Sequence, residues 1–221
     1  MVLPPPGPDD VAGLPADVAL AHAFVNTLDL RQYRVHGRRM QSNDAWDGAE
    51  SFERWLREHK LLIGEVPVGM ADLVHARDLR AILRDSTRQL SSGDVTCSAD
   101  DVTTTLNRFP LLVAAGPSTG IRLTSPAEGV EAALSAVLIT AVDLSARGLW
   151  RRMKMCVAAD CQWVFFDRSR PCRGRWCSPD LCGNRLKKRA HRQRQEQHPS
   201  QPEAAGTGPQ VPSNSCSGTG S

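Results

Sequence analysis

Two pairs of cysteines in the last third of the chain restrict its fold more than any other feature. Cys156 and Cys161 are separated by four residues, as are Cys177 and Cys182, and fifteen residues lie between the pairs. Each short loop brings two sulfurs to one ion, and the longer connection brings the two pairs together. Because four thiolates fill the tetrahedral shell of Zn²⁺, the pattern predicts a structural zinc site with no open position for catalysis.

Cys172 leaves the ligand set open, because it lies five residues before Cys177, as Cys177 does before Cys182. A set of incidental buried cysteines is the plainer alternative, and a thiol redox enzyme that uses Cys172 beside Cys177 is another. The chain has seven cysteines, an odd number, and most lie within one short stretch. This distribution favours metal binding in a reducing compartment over disulfide bonds, so a cytoplasmic location is expected.

The charge of the chain is divided between an acidic body and a basic end. Residues 147 to 194 contain fourteen Lys and Arg and three Asp, a net charge of +11. The remaining thirteen basic and twenty-one acidic residues carry −8, which leaves +3 for the whole chain. This asymmetry predicts two parts with different partners.

The basic end contains a candidate nucleic-acid-binding helix over residues 185 to 194. Its cations recur at helical spacing on one face, and a helix with such a density of positive charge gains most free energy from binding a polyanion. A solvated helix that only keeps the protein soluble is the alternative. The predicted contacts are Arg170, Arg173, Arg175, Arg185, Lys187, Lys188, Arg189 and Arg192.

The residues before the cysteines predict a mainly α domain with one β-hairpin, an α+β fold. The predicted helices begin at Pro15, Asp47, Pro67, Ser98 and Ser125. Asp47 starts a capping box, and Ser125 is followed by Pro at the first helical position. The apolar face of the first helix is expected to include Leu28, and that of the third Leu90. The second is predicted to end near Leu62 and the third at Gly93. The hairpin joins residues 111–115 to 121–124, and a loop is expected up to about Asp44.

This domain has no catalytic motif, and we expect no enzyme activity. Its first residues, 1 to 8, have no secretory signal pattern, and the longest apolar stretch, 132 to 144, is too short and too polar for a membrane span. Asn26, Thr27, Asp29 and Arg31 cluster near the end of the first helix and are a candidate site for a small-molecule effector or partner. Helix-end hydrogen bonding is the alternative.

Around the cysteines, local patterns predict the role of several neighbours. We expect Trp163, Phe165, Phe166 and Trp176 to form a small core around the metal. Asp167 is expected to hold a neighbouring Arg, Gly183 to turn the backbone so that N–H groups approach sulfur, and Asn184 to cap the basic helix.

The cysteine stretch resembles the CGNR zinc finger family. The residues that carry the resemblance are Trp163, Phe165, Asp167, Ser169-Arg170, Trp176-Cys177-Ser178 and Cys182-Gly-Asn-Arg185. Phe24-Val-Asn-Thr-Leu-Asp29 is similar to the ABATE domain that precedes this finger in bacterial proteins, so the resemblance covers residues 16 to 194. The chain departs from the family pattern at Cys172, at Gly174, where a second Arg is common, and at Pro179.

The resemblance implies a bacterial, stress-induced transcriptional regulator that binds DNA, with an N-terminal domain that senses a ligand or forms a homodimer. A zinc-stabilised protein-interaction or RNA-binding module is the alternative. The expected domains are a disordered N-terminus (1–14), an ABATE-like helical domain (15–148), a CGNR-type finger with its basic helix (149–198) and a disordered tail (199–221).

Overall fold

The computed structural model of the chain describes residues 12–35, 38–117 and 120–197. The tail predicted over 199–221 and most of the predicted N-terminal segment therefore lie outside the described residues. Of the described residues, those up to Leu186 form one compact unit, and those from Lys187 onward form a second. The six α-helices in this part of the chain are α1 (Ala16–Val25), α2 (Ala49–Glu58), α3 (Met70–Ser92), α4 (Ala99–Leu106), α5 (Gly129–Ala146) and α6 (Asn184–Gln197).

In the described residues, eight short strands form four separate antiparallel pairs. The pairs are β1 (Leu28–Asp29) with β4 (Asn43–Asp44), β2 (Arg34–Val35) with β3 (Arg38–Arg39), β5 (Leu112–Gly116) with β6 (Gly120–Thr124), and β7 (Met153–Met155) with β8 (Val164–Phe166). A 3₁₀ turn spans Trp150–Arg152, and a π-helical turn spans Pro179–Gly183. The predicted α+β class, mainly helical with a zinc-finger-like cysteine cluster, is confirmed.

The predicted hairpin and the fourth helix are confirmed. Val113 lies opposite Leu123 in the β5–β6 register, and Gly116 pairs with Gly120 at the last position of the hairpin. Ser98 caps α4, since its hydroxyl accepts a hydrogen bond from the Asp101 N–H at 3.1 Å. Gly93 ends α3 with φ of +82°, a conformation that glycine adopts without strain.

Two predicted helix caps are wrong, by one residue for α2 and by three residues for α5. Gly48, not Asp47, precedes α2, and the Ser51 hydroxyl accepts a hydrogen bond from the Gly48 N–H at 3.0 Å. α5 begins only at Gly129, whose φ of +58° follows the extended Glu128. The Ser125 hydroxyl instead accepts a hydrogen bond from the Ala127 N–H at 3.2 Å, which forms a local turn ahead of the helix.

Other element boundaries also differ from the predictions. Leu28 lies in β1, because α1 ends at Val25, and the expected loop up to Asp44 contains three further short strands. α2 ends at Glu58 before the predicted Leu62, and α3 begins at Met70, three residues after Pro67. Leu90 is 45 % exposed and does not belong to the buried stripe of α3.

The core lies where α1, α3 and α5 pack together. Trp46 is fully buried at its centre, and its ring makes edge-to-face contacts with Phe24, Phe52 and Trp55 at centroid distances of 5.0 to 5.4 Å. α5 is the one described helix with the length and apolar composition of a membrane span. Its predicted apolar stripe, from Val130 to Leu144, is buried in this core, as in the core helix of a folded domain.

Candidate metal centre

The four paired cysteines meet at one buried point. Their Sγ atoms all lie within 4.8 Å of one another, with Cys161 3.6 Å and Cys182 3.7 Å from Cys177. Each is buried and free of disulfide bonds. A tetrahedral ion with metal–sulfur bonds of about 2.3 Å places its sulfurs about 3.8 Å apart, so the donor set matches such an ion. The predicted ligands Cys156, Cys161, Cys177 and Cys182 are thus brought together.

The first cysteine pair is positioned by the β7–β8 hairpin. Cys156 directly follows β7, and its N–H donates to the Trp163 carbonyl at 2.9 Å. A tight turn then brings Cys161 back, since its N–H donates to the Ala158 carbonyl at 2.8 Å. Hairpin pairing and this turn therefore place the first two sulfurs close together.

The second pair is positioned by the π-helical turn. Ser178 caps this turn, with its hydroxyl accepting from the Leu181 N–H at 3.2 Å, and Pro179 occupies the first position. The Cys182 N–H donates to the Ser178 carbonyl at 2.9 Å. The prediction that Asn184 caps the following helix is wrong, because Asn184 itself has helical dihedral angles.

Gly183 does not have the predicted role. Its N–H donates to the Ser178 carbonyl at 3.1 Å and not to a sulfur, and its φ lies outside the left-handed region. A Cβ at this position would lie 3.4 Å from the Trp176 ring. The residue therefore brings the turn close to that ring.

Cys172 lies outside the cluster of four. Its thiol donates to the Arg151 carbonyl at 3.6 Å, and its backbone adopts a φ of +51°. Since the group of sulfurs within reach of one ion does not include Cys172, the geometry favours the four paired cysteines as ligands.

The small core around the cysteines draws on both halves of the sequence. Trp163, Phe165 and Trp176 pack there as predicted, whereas Phe166 packs against the main helical core. Tyr33 and Met40 complete the cysteine core from the N-terminal domain, and sequence reasoning missed both. Nothing in the linear sequence signals them, because more than a hundred residues separate them from the cysteines.

Arg185 links the second pair to this core. Its guanidinium pairs with the Asp160 carboxylate, lies 3.6 Å from the Cys182 sulfur and stacks 4.0 Å from the centre of the Tyr33 ring. Neighbouring thiols, Cys156 first among them, hold the pKa of Cys182 well below its usual range, and Arg185 adds to this effect. Arg185, which was predicted to bind nucleic acid, is thus also engaged at the metal centre.

The candidate effector residues Asn26 and Thr27 bind other parts of the chain. The Asn26 side-chain amide donates to the Val164 carbonyl at 2.8 Å and accepts from the Val164 N–H at 3.0 Å, as a neighbouring strand would. The Thr27 hydroxyl donates to the Phe24 carbonyl at 2.8 Å and accepts from Arg80 at 3.0 Å. Their polar groups therefore connect α1 to β8 and α3.

Asp29 and Arg31 form a buried ion pair with a shortest contact of 2.6 Å. The Arg31 guanidinium also lies 4.2 Å from the centre of the Trp163 ring. Hydrogen bonds and the charge of Asp29 raise the pKa of Arg31 in spite of its burial. With partners on both sides, this pair joins the N-terminal domain to the cysteine loops, and the geometry favours a structural role.

Two further contacts hold the first cysteine loop against the body. The Gln32 N–H donates to the Asp160 carbonyl at 2.8 Å. The buried Arg84 of α3 donates to the Gln162 carbonyl at 2.9 Å and to the carbonyls of Val25 and Leu28 at 2.7 and 3.2 Å. The cysteine region up to Leu186 is therefore built into the helical body.

The other predicted nucleic-acid contacts are exposed. Arg170, Arg173 and Arg175 lie in the loop between β8 and Cys177. Within α6, the exposed cations are Lys187, Lys188, Arg189, Arg192 and Arg194. Among the described side chains, the Asp167 carboxylate pairs with Lys154 at 3.2 Å, and not with an arginine as predicted.

The fold and the site together define a class of protein, a helical body joined to a finger with four cysteines positioned to hold one metal ion. The chain belongs to the ABATE family, since residues 18–148 match the family model described as "Putative stress-induced transcription regulator". Residues 152–195 match the CGNR zinc finger. The resemblance noted from the sequence is thereby confirmed. No curated protein matches the chain.

Proposed function

We propose that this protein is a cytoplasmic, zinc-dependent transcriptional regulator that binds DNA and catalyses no reaction. Zn²⁺ is the ion that suits four buried cysteine sulfurs in tetrahedral spacing, and it closes the site against substrate. Its role is to hold the two cysteine loops together. The family description supports a regulatory role.

The observation that carries DNA binding is the charge of α6. The described part of the helix contains five exposed cations and one acidic residue, Glu196. Arg and Lys on an exposed helix gain free energy from phosphates, because each neutralised phosphate releases counterions. Such contacts set affinity and register, whereas base contacts decide sequence preference.

The test is fluorescence polarisation of the full-length, zinc-loaded chain with labelled duplex DNA over a series of salt concentrations. In the double variant Lys188→Gln/Arg192→Gln, the slope of log K against log salt should become shallower by about 1.8, since each phosphate contact contributes about 0.9. The matched control is Arg54→Gln/Lys60→Gln, which removes the same charge from exposed sites near α2. This control should bind as the unchanged chain does.

Three results would overturn the proposal. The first is no binding of duplex DNA at low salt, and the second is binding that does not depend on salt. The third is equal weakening in the two double variants, which would assign the effect to net charge alone. Stronger competition by single-stranded RNA or an acidic protein than by duplex DNA would favour the alternative module.

A further inference from the structure

A loop of four arginines lies between β8 and Cys177. This arginine loop spans residues 168 to 175 and contains Arg168, Arg170, Arg173 and Arg175, all exposed. Arg168 donates to the Ala12 carbonyl at 2.6 Å, and Arg175 lies 5.6 Å from the centre of the Trp176 ring. Within the described residues, neither Arg170 nor Arg173 is paired with a carboxylate, so both guanidinium groups face solvent without a protein anion.

Asp167 fastens both ends of the arginine loop to one buried carboxylate. Its Oδ1 accepts from the Ser169 N–H at 3.0 Å and the Ser169 hydroxyl at 2.6 Å. Its Oδ2 accepts from the Gly174 N–H at 2.6 Å and lies 3.2 Å from the Lys154 ammonium. Asp167 is 4 % exposed. Burial acts to raise its pKa, but these hydrogen bonds and Lys154 outweigh burial and lower it.

The carbonyl groups of the loop are held from the buried side. Arg152 donates to the carbonyls of Asp167 and Ser169 at 2.8 and 2.9 Å. Lys154 donates to the carbonyl of Cys172. These two cations are therefore used within the protein, and they hold the backbone while the loop arginines remain exposed.

Only glycine fits at position 174 without a shift, because the backbone there lies close to the Asp167 carboxylate. A Cβ at Gly174 would lie 2.9 Å from the Asp167 carboxylate, closer than side chains pack without a shift. Because Asp167 accepts hydrogen bonds on both oxygens and is buried, it cannot move aside without losing partners.

We propose that the arginine loop is a preorganised binding surface for consecutive phosphates of the DNA backbone, and that Asp167 is the residue that positions it. The proposal rests on the proposed function and adds a second contact, separate in sequence from α6. A loop already ordered loses less conformational entropy on binding, so its guanidinium groups bind phosphate more tightly. Arginine is suited to this task, because its planar fork of donors matches phosphate oxygens.

Replacing Asp167 by Asn separates this proposal from a simple effect of net charge. Asp167→Asn removes one negative charge, which by long-range attraction alone would strengthen DNA binding. The same change also replaces one carboxylate oxygen by an NH2 group, which cannot accept from the Gly174 N–H or pair with Lys154. The loop is thereby released. Asp180→Asn is the matched control, because Asp180 is an exposed acid in the same region and lies outside the contacts of the loop.

The experiment measures polarisation of labelled duplex DNA with the zinc-loaded full chain and its variants, beside zinc content and circular dichroism. Asp167→Asn should weaken binding by about tenfold, opposite to the charge effect, with zinc retained. Asp180→Asn should bind equally or more tightly. Gly174→Ala leaves the charge unchanged and should also weaken binding, which preserves the test if Asp167→Asn loses zinc or fold.

Limited trypsin digestion reads out the loop without DNA. In Asp167→Asn, cleavage within residues 168 to 176 should be about tenfold faster than in the unchanged chain, because the released loop opens to the protease. If the unchanged chain binds DNA, and Asp167→Asn and Gly174→Ala bind it with the same affinity, the loop proposal is overturned and the proposed function is not. An unchanged chain that binds no DNA would overturn the proposed function and with it the phosphate role of the loop, whatever the digestion shows.

Discussion

Replacing Arg84 by Met should destabilise the helical body and the metal centre together. Arg84 is 4 % exposed and donates to three carbonyls, those of Val25, Leu28 and Gln162. Within the described residues no carboxylate pairs with it, and burial lowers its pKa to about 10, so it remains charged at neutral pH. Its charge is therefore balanced by carbonyl dipoles, and these carbonyls depend on it in turn.

The magnitude follows from the groups left without a partner. Methionine fills the space of the aliphatic stem but leaves three carbonyls without the donor that Arg84 supplies. Each such carbonyl costs about 1 to 3 kcal/mol when it is buried and unsatisfied. Removing a buried charge offsets part of that cost. We expect a net loss of about 3 kcal/mol, which lowers Tm by about 6 to 12 °C for a folded region of this size.

The assay is urea denaturation of the zinc-loaded chain followed by circular dichroism, with zinc release to a chelator measured in parallel. Arg84→Met should release zinc faster, because Gln162 adjoins Cys161. Arg84→Lys keeps the charge but reaches fewer carbonyls, so its stability should be intermediate. Arg54→Met, at an exposed site, should change stability by less than about 0.5 kcal/mol. Unfolding of Arg84→Met at the urea concentration of the unchanged chain would contradict the role assigned to Arg84.

Two further predictions concern the cysteines and a buried histidine. Single Ser variants at Cys156, Cys161, Cys177 or Cys182 should each lose bound zinc when metal content is measured, while Cys172→Ser should retain one ion per chain; retention in all five would rule out this ligand set. Burial lowers the pKa of His22 to about 4 from its ordinary 6.5, and its Nε2 accepts from the Asn26 amide, so protonation favours the unfolded chain. Stability from this group is complete above pH 6.5 and is lost as pH falls towards 4. Between about pH 7.5 and about pH 5.5 the unchanged chain should lose about 1 kcal/mol more than His22→Gln in urea denaturation, and equal losses would exclude this contribution.

Features set by neighbouring residues were predictable from the sequence. The Ser98 cap, the β5–β6 hairpin and the stripe of α5 depend on side chains within a few positions of each other. The start of α5 was not predictable, since the left-handed Gly129 interrupts a segment whose residues match a helix start. Strands of two residues, such as β1 and β4, are too short to show an alternating pattern.

The candidate site shows the same division between local and distant contacts. The spacing of the cysteines is local, and it predicts the four residues that the structure brings together. The partners Tyr33 and Arg84 come from segments far away in sequence, and an isolated Tyr or Arg has no pattern that points to a distant cysteine. Arg185 matches the pattern of the basic helix, and only the structure shows its contacts with Asp160 and Cys182.

The position of Asn26 helps to explain why the cysteine region up to Leu186 and the helical body form one compact unit. Its amide pairs with Val164 on both the N–H and the carbonyl, and so extends the β7–β8 hairpin by the equivalent of one strand residue. The same strand ends at Phe166, and the next residue is Asp167, which fastens the arginine loop. One short strand therefore connects the end of α1, the first cysteine pair and the exposed arginines. Because a two-stranded hairpin is only marginally stable alone, its geometry depends on the body that supports it.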